Sequence, residues 1–308
     1  MDLPALPLNW ADLIDPEQDR PSKREQFLST YQHQSFSLPH DSIMFYILKN
    51  PKTPEIYQKM IKCCKYFFIK NPILVVLQLK YRGEHGWYSD YNDYNEKPVI
   101  EFKNISSKIW ITTEIRISYT FTSMPKVYQN DAKYIFIYNT SICHKDFIFL
   151  AGKCQNIKLT YCNVMNDSTT VFLETIVASL PKAESFEYAL DILNPPKTIT
   201  SKTVSELLKI PHFPNLTYFM LDEVPDTFEI ETFYEYIKQN KKTEIGLVFD
   251  LGISLPNLEY ENRLQIIVND ILEAETRDYK VPGIHFESIE PVSLKKLFKL
   301  LSFNFEYN

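Results

Sequence analysis

The apolar positions of this chain fall into two regimes. Between Phe36 and Phe68 they recur at helical spacing: Ile43, Phe45, Tyr46, Ile47 and Leu48, then Ile56, Tyr57, Met60, Ile61 and Cys64. A break at Asn50-Pro51-Lys52-Thr53-Pro54 separates these faces, so the stretch predicts two short helices ending on Lys65-Tyr66-Phe67-Phe68. Such helices cannot bury their apolar faces against each other alone, which marks 36–70 as a docking module.

From Pro98 onward the pattern changes. Short runs of β-branched and aromatic residues alternate with helical stretches and Pro or Asn breaks. The runs predict strands over 99–102, 110–118, 133–139, 156–162, 185–190, 216–221, 245–250 and 283–288. The stretches between them predict helices over 145–153, 168–180, 201–210, 229–239, 261–274 and 292–301. Asp167-Ser168 and Ser201 stand where helix N-caps are expected. Before this region, 71–79 (NPILVVLQL) reads as a buried strand and 81–98 as a long polar loop. Residues 1–35 read as a loosely ordered, Pro-rich arm whose dense apolar group is Trp10, Leu13 and Ile14.

Successive strands from the third onward start roughly 23 to 38 residues apart, which brackets the period of leucine-rich-repeat solenoids. In such a unit a strand and a helix bury their apolar surface only by stacking on their neighbours. Pro214-Asn215-Leu216 and Pro256-Asn257-Leu258 match the phrase that opens a repeat strand. A doubly wound parallel sheet shows similar alternation and is the structural competitor.

The chain resembles an F-box protein with a divergent leucine-rich-repeat-like C-terminal domain, of the type expanded in nematodes. The F-box likeness covers about 35 residues and rests on Leu38-Pro39, the helix through Ile43, Ile47 and Leu48, and Cys64-Lys65-Tyr66-Phe67, with Phe67 where the family usually has Trp. The fold implied is α/β: a helical F-box-like module at 36–70, a strand and linker loop at 71–98, and an irregular βα solenoid at 99–308. The function implied is that of a substrate receptor of a cullin-RING ubiquitin ligase. Leu38, Pro39, Ile43, Ile47, Tyr57, Ile61, Cys64 and Phe67 would dock on a Skp-type adaptor, and the repeats would present a target protein. The alternative is a repeat scaffold with no ligase link.

Composition narrows the remaining chemistry. A net charge of -6 without long basic runs argues against a nucleic-acid partner. Six glycines in 308 residues, with no GxGxxG or GxxxxGK[ST] pattern, argue against a phosphate-cradling enzyme, and no cofactor is expected. No GxSxG or HExxH motif is present, so the expectation is a protein that is not an enzyme. Five cysteines with no framework spacing, no signal-like N-terminus and no long apolar run point to a reducing cytoplasmic or nuclear compartment, with no membrane span. Cys143-His144, Cys154 and Cys162 lack the paired spacing of a zinc site, so no metal is expected and the thiols read as buried hydrophobes. On the repeat strands, Glu114, Arg116, Glu187, Tyr188, Tyr218 and Phe219 are the candidate target contacts, since Tyr and Arg tend to dominate interfaces.

Overall fold

The computed structural model describes residues 29, 41–83, 86–89, 100–119, 124–191, 197–249 and 257–301. The chain divides into two compact units, Met1–Asn71 and Pro72–Asn308. The first holds helices α1 (Asp41–Lys49), α2 (Pro54–Cys63) and α3 (Lys65–Lys70). Thr53 caps α2: its hydroxyl accepts from the Ile56 amide at 3.3 Å, Pro54 fills the first helical position and Glu55 stands in the first turn. The buried Tyr57 donates its hydroxyl to the Asn71 carbonyl at 2.6 Å, and Asn71 Nδ2 donates to the Leu48 carbonyl at 2.7 Å. Those two bonds tie α1, α2 and the end of α3 together. The arm 1–35, apart from Ser29, lies outside the described residues, as do Leu38 and Pro39.

The second unit is mixed α/β with a large, mostly parallel sheet. Its elements are β1 (Ile73–Arg82), β2 (Gly86–Ser89), β3 (Ile100–Glu101), β4 (Lys108–Ser118), β5 (Val127–Asn130), β6 (Tyr134–Tyr138), β7 (Ser141–Cys143), α4 (His144–Ala151), β8 (Asn156–Thr160), β9 (Asn163–Asn166), β10 (Thr169–Thr170), α5 (Leu173–Ala178), β11 (Ser185–Ala189), α6 (Thr203–Leu207), β12 (Tyr218–Val224), α7 (Ile230–Gln239), β13 (Glu244–Phe249), α8 (Leu258–Glu273), β14 (Gly283–His285) and α9 (Pro291–Leu300). The sheet order is β14-β13-β12-β11-β8-β6-β4-β1-β2-β3, with β5 also on β4. From β1 to β14 its parallel strands therefore lie in chain order. A doubly wound sheet would reverse order at a switch point, and no reversal occurs here among the described residues.

Register turns this order into rows. Leu79, Ile115, Ile135, Ile157 and Phe186 lie side by side, and Phe219 and Ile245 continue the row. Tyr81, Ile117, Ile137, Leu159, Tyr188, Leu221, Leu247 and Ile284 form the next inward row. All are buried in one core with Phe147 and Leu150 of α4, Ile176 and Val177 of α5, Leu207 of α6, Phe233 and Ile237 of α7, Leu264 and Val268 of α8 and Leu297 of α9. Burying each such side chain stabilises by about 1.5–3 kcal/mol, and the rows make that burial depend on both neighbouring strands. Asn130 closes one corner: it donates to the Leu150 carbonyl at 2.8 Å at the end of α4 and accepts from the Ala132 amide at 3.0 Å.

One repeated turn was invisible in the sequence at three of its four positions, only Asn139 being a residue that favours it. Ser118, Tyr138, Thr160, Ala189 and Asp222 are register partners across successive strands. The residues just after four of them, Tyr119, Asn139, Tyr161 and Glu223, have positive φ of 68°, 47°, 51° and 60°. Their sharp bend redirects the chain after β6 and β8 into β7 and β9, which pair in a second, smaller sheet with β10. Non-glycine residues there cost about 1–3 kcal/mol each, so the packed neighbouring strands must impose the conformation.

Several expected elements shift for identifiable reasons. Asp167 takes φ 52° in the tight β9–β10 hairpin, so the helix expected over 168–180 begins at Leu173 instead. Ser201 gives no cap; α6 starts at Thr203, whose hydroxyl accepts from the Thr200 amide at 3.0 Å. Asn257 caps α8 by accepting from the Tyr260 amide at 3.2 Å, so Asn257-Leu258 of the matched phrase opens a helix rather than a strand, Pro256 lying outside the described residues. Phe213–Asn215 is a single tight turn, and the strand follows at Tyr218. Within the loop expected over 81–98, β2 folds back on β1 through Gly83 and Gly86, both at positive φ, with Tyr81 against Trp87 at 5.1 Å.

Candidate functional site

Side chains that alternate with the core rows form the other sheet face. Across β1, β4, β6, β8 and β11 the central row there reads Lys80, Arg116, Phe136, Lys158 and Glu187. The preceding row reads Gln78, Glu114, Tyr134, Asn156 and Ser185, with Tyr218 next on β12. A depression of about 430 Å³ opens over the middle of these rows, lined by Glu114, Arg116, Tyr134, Phe136, Lys158 and Glu187 among others. Its charges are matched in place: Arg116 pairs with Glu114, and Lys158 with Glu187 on the adjacent strand. Partly exposed pairs of this kind contribute about 0–1 kcal/mol. They leave the floor of the depression charge-matched and add little to its stability.

Of the six residues expected to contact a target, Glu114, Arg116, Glu187 and Tyr218 lie on this face. Tyr188 and Phe219 point the opposite way and are fully buried. Tyr188 donates its hydroxyl to the Cys162 carbonyl at 2.8 Å, and Phe219 packs on Phe186, Phe213 and Phe233. Side chains alternate with period two, so adjacent residues of a strand cannot share a face. Sequence reasoning passed over Tyr134, Phe136 and Lys158, although the alternation in 133–139 and 156–162 carried the signal.

The two rims of the face differ. Where the strands begin, a second depression of about 450 Å³ is lined by Asp131, Lys133, Lys153, Gln155, Lys182 and Glu184. Where they end, Tyr119, Phe136, Tyr138 and Tyr161 form a chain of ring contacts with centroids 6.2–6.5 Å apart. Burial, then the carboxylates of Asp222, Glu223 and Asp191, raise the Tyr161 phenol above its ordinary range. Burial is also the main cause that raises the Asp222 carboxyl, with Glu187 adding to it and the amide of Glu223, at 3.0 Å, opposing it.

In the first unit, Ile43 is 53% exposed and Tyr46 70%, and Ile47 and Ile56 are exposed as well. Ile61 and Phe67 are half-buried. Tyr57 and Cys64 are buried; Cys64 forms the α2–α3 junction, its amide bonded to the Met60 carbonyl at 3.0 Å.

Burial pushes the thiols of Cys154 and Cys162 up to about 12, which makes them unreactive, while Cys63 and Cys143 are exposed. The reading of Cys143 as a buried hydrophobe is thereby corrected. Among the described residues no group of three or more His, Cys, Asp or Glu is placed to hold a metal ion, and no helix is long and apolar enough to cross a membrane. Comparison with protein-family models, curated proteins and solved structures returns no match.

Proposed function

We propose that this chain is a substrate-recognition subunit of a cullin-RING ubiquitin ligase, whose helical unit docks on a Skp-type adaptor and whose sheet unit holds a target protein. The observation that carries the reading is the exposure of Ile43, Tyr46, Ile47 and Ile56 on two short, internally tied helices. Exposed apolar patches mark interaction sites when they are not spent on a core. The chain-order parallel strands support a leucine-rich-repeat-like solenoid, and its open face would be the target surface. Such a subunit supplies proximity rather than bond chemistry, needs no cofactor, and acts in the cytoplasm or nucleus.

The burial of Tyr57 and Cys64 favours a second reading, a repeat scaffold without a ligase partner, because part of the expected contact set serves the unit's own packing.

Co-expression of the full chain with a Skp-type adaptor separates the two. The ligase reading expects a complex that survives gel filtration and is lost in an Ile43→Asp/Ile47→Asp variant with an unchanged circular dichroism spectrum. No complex with the soluble parent chain, or a complex indifferent to the variant, leaves the scaffold reading.

A further inference from the structure

The helix pair α8 and α9 carries opposite charges on neighbouring outer faces, and no ion pair among the described residues joins them. On α8 the outward stripe is Glu259, Asn262, Ile266, Asp270 and Glu273, spaced so that all five lie opposite the buried Leu264, Val268 and Ile271. On α9 it is Val292, Lys295, Lys296 and Lys299, opposite the buried Ser293 and Leu297. Ile266 and Val292 are each 66% exposed. Among the described residues neither the three lysines nor Glu259 and Glu273 take part in an ion pair, and Asp270 accepts from a neutral group, the Tyr234 hydroxyl, at 2.9 Å.

The two stripes run in step. α8 returns the chain from the end of β13 to the start of the parallel strand β14, and α9 leaves β14 and packs beside α8 in the same direction. The Glu290 amide donates to Gln265 Oε1 at 3.3 Å, which sets the start of α9 level with the middle of α8. At about 1.5 Å of rise per residue, Ile266 is then level with Val292, Asp270 with Lys295 and Lys296, and Glu273 with Lys299, each to within about 2 Å. Over the same seven-residue span both stripes read apolar, charged, charged, with opposite signs.

That arrangement is self-complementary. A two-fold axis running along the helices and between them lays α8 of each copy on α9 of the other at the same level. Ile266 then meets Val292 of the second copy, Asp270 meets Lys295 and Lys296, and Glu273 meets Lys299, each contact occurring twice. Any other partner would need an acidic and a basic stripe of its own in this register, whereas a second copy has both.

We propose that the outer faces of α8 and α9 form an isologous docking surface for a second copy of this chain, with Ile266 and Val292 at its centre and the carboxylates of α8 against the lysines of α9. Two helix stripes are a small surface, so the dimer belongs with transient interfaces that bury less than about 1,200 Å² in total. The inference goes beyond the proposed function and does not rest on it.

Sedimentation velocity on the full chain, from micromolar to submillimolar concentration and in low and high salt, tests it. The mass should rise with concentration from that of one chain toward that of two, and less steeply in high salt. An α9 variant (Lys295→Glu/Lys296→Glu/Lys299→Glu) sets acid against acid and should associate at least about tenfold more weakly. An α8 variant (Asp270→Lys/Glu273→Lys) sets base against base, with the same expectation. Mixing the two variants restores opposite charges at both contacts of the two-fold, so the mixture should associate where neither component does. Because Asp270 also bonds Tyr234, Glu273→Lys alone takes the place of the α8 variant if circular dichroism shows that the double substitution unfolds it. A parent that stays monomeric throughout, a dimer indifferent to the α9 variant, or a mixture no better than its components overturns the proposal. None of these outcomes bears on adaptor capture.

Discussion

The two units solve the burial of apolar surface in opposite ways. In the sheet unit Ile115, Leu159, Phe186 and Phe219 each have a register partner on either side and are fully buried. In the helical unit, α1 and α2 bury Leu48 and Tyr57 but leave Ile43, Tyr46, Ile47 and Ile56 in solvent. Register-matched neighbouring strands supply a partner at every step, whereas a few short helices run out of surface to cover them. Residual apolar exposure is therefore informative in the first unit and scarce on the inward rows of the second.

Substitutions can break this contrast, and the largest effect belongs to the rows. Phe219→Ala removes a ring held between Phe186, Phe213 and Phe233 and should cost about 3–5 kcal/mol in urea unfolding, since the gap cannot collapse from either side. A cost below about 1 kcal/mol would mean the rows are not load-sharing. Next comes Asn130→Ala, which leaves the Leu150 carbonyl and the Ala132 amide without their partner; a loss of about 1–3 kcal/mol is expected by the same measurement.

Asp222→Asn acts in the other direction. Burial raises the folded-state pKa of Asp222, so the folded protein holds that proton more tightly than the unfolded chain does. Stability is then lost as pH rises from the ordinary carboxylate range through the folded value. The amide variant keeps the bond from Glu223 and carries no charge. Its thermal midpoint should exceed that of the parent at neutral pH, with the difference shrinking toward acid; a lower midpoint at neutral pH would show that the carboxylate is satisfied in the isolated chain.

The smallest stability effect is expected for Ile43→Ser/Ile47→Ser, within about 0.5 kcal/mol because both side chains are exposed. The same pair should abolish adaptor capture, so a large destabilisation would place these residues in a core. Thiol labelling sharpens the comparison further: Cys63 and Cys143 should react in the native protein, and Cys154 and Cys162 only after unfolding.

Much of the sheet unit was legible from local patterning. The runs at 110–118, 133–139, 156–162 and 185–190 form β4, β6, β8 and β11, because alternating β-branched and aromatic residues fit one buried and one open face. The helices at 229–239 and 292–301 were equally clear from their amphipathic spacing. What went unread were the short strands β7 and β9 and the left-handed bends at the ends of β4, β8 and β12. Tyr119, Tyr161 and Glu223 carry no turn signature, so nothing local announces a bend that only packed neighbours enforce. The candidate face was half legible for a related reason: strand positions were found, but choosing both Glu187 and Tyr188 ignored that adjacent residues face opposite ways.

The sequence by itself determined an α/β chain with a helical N-terminal stretch and regularly spaced strands, since hydrophobic period and turn residues act within a few positions. Tertiary structure alone decided that the strands lie in chain order, and that Tyr138 and Tyr161 meet in one strip beside Asp222. Those juxtapositions join residues far apart along the chain. They are fixed by the register of one strand against the next, which no single segment encodes.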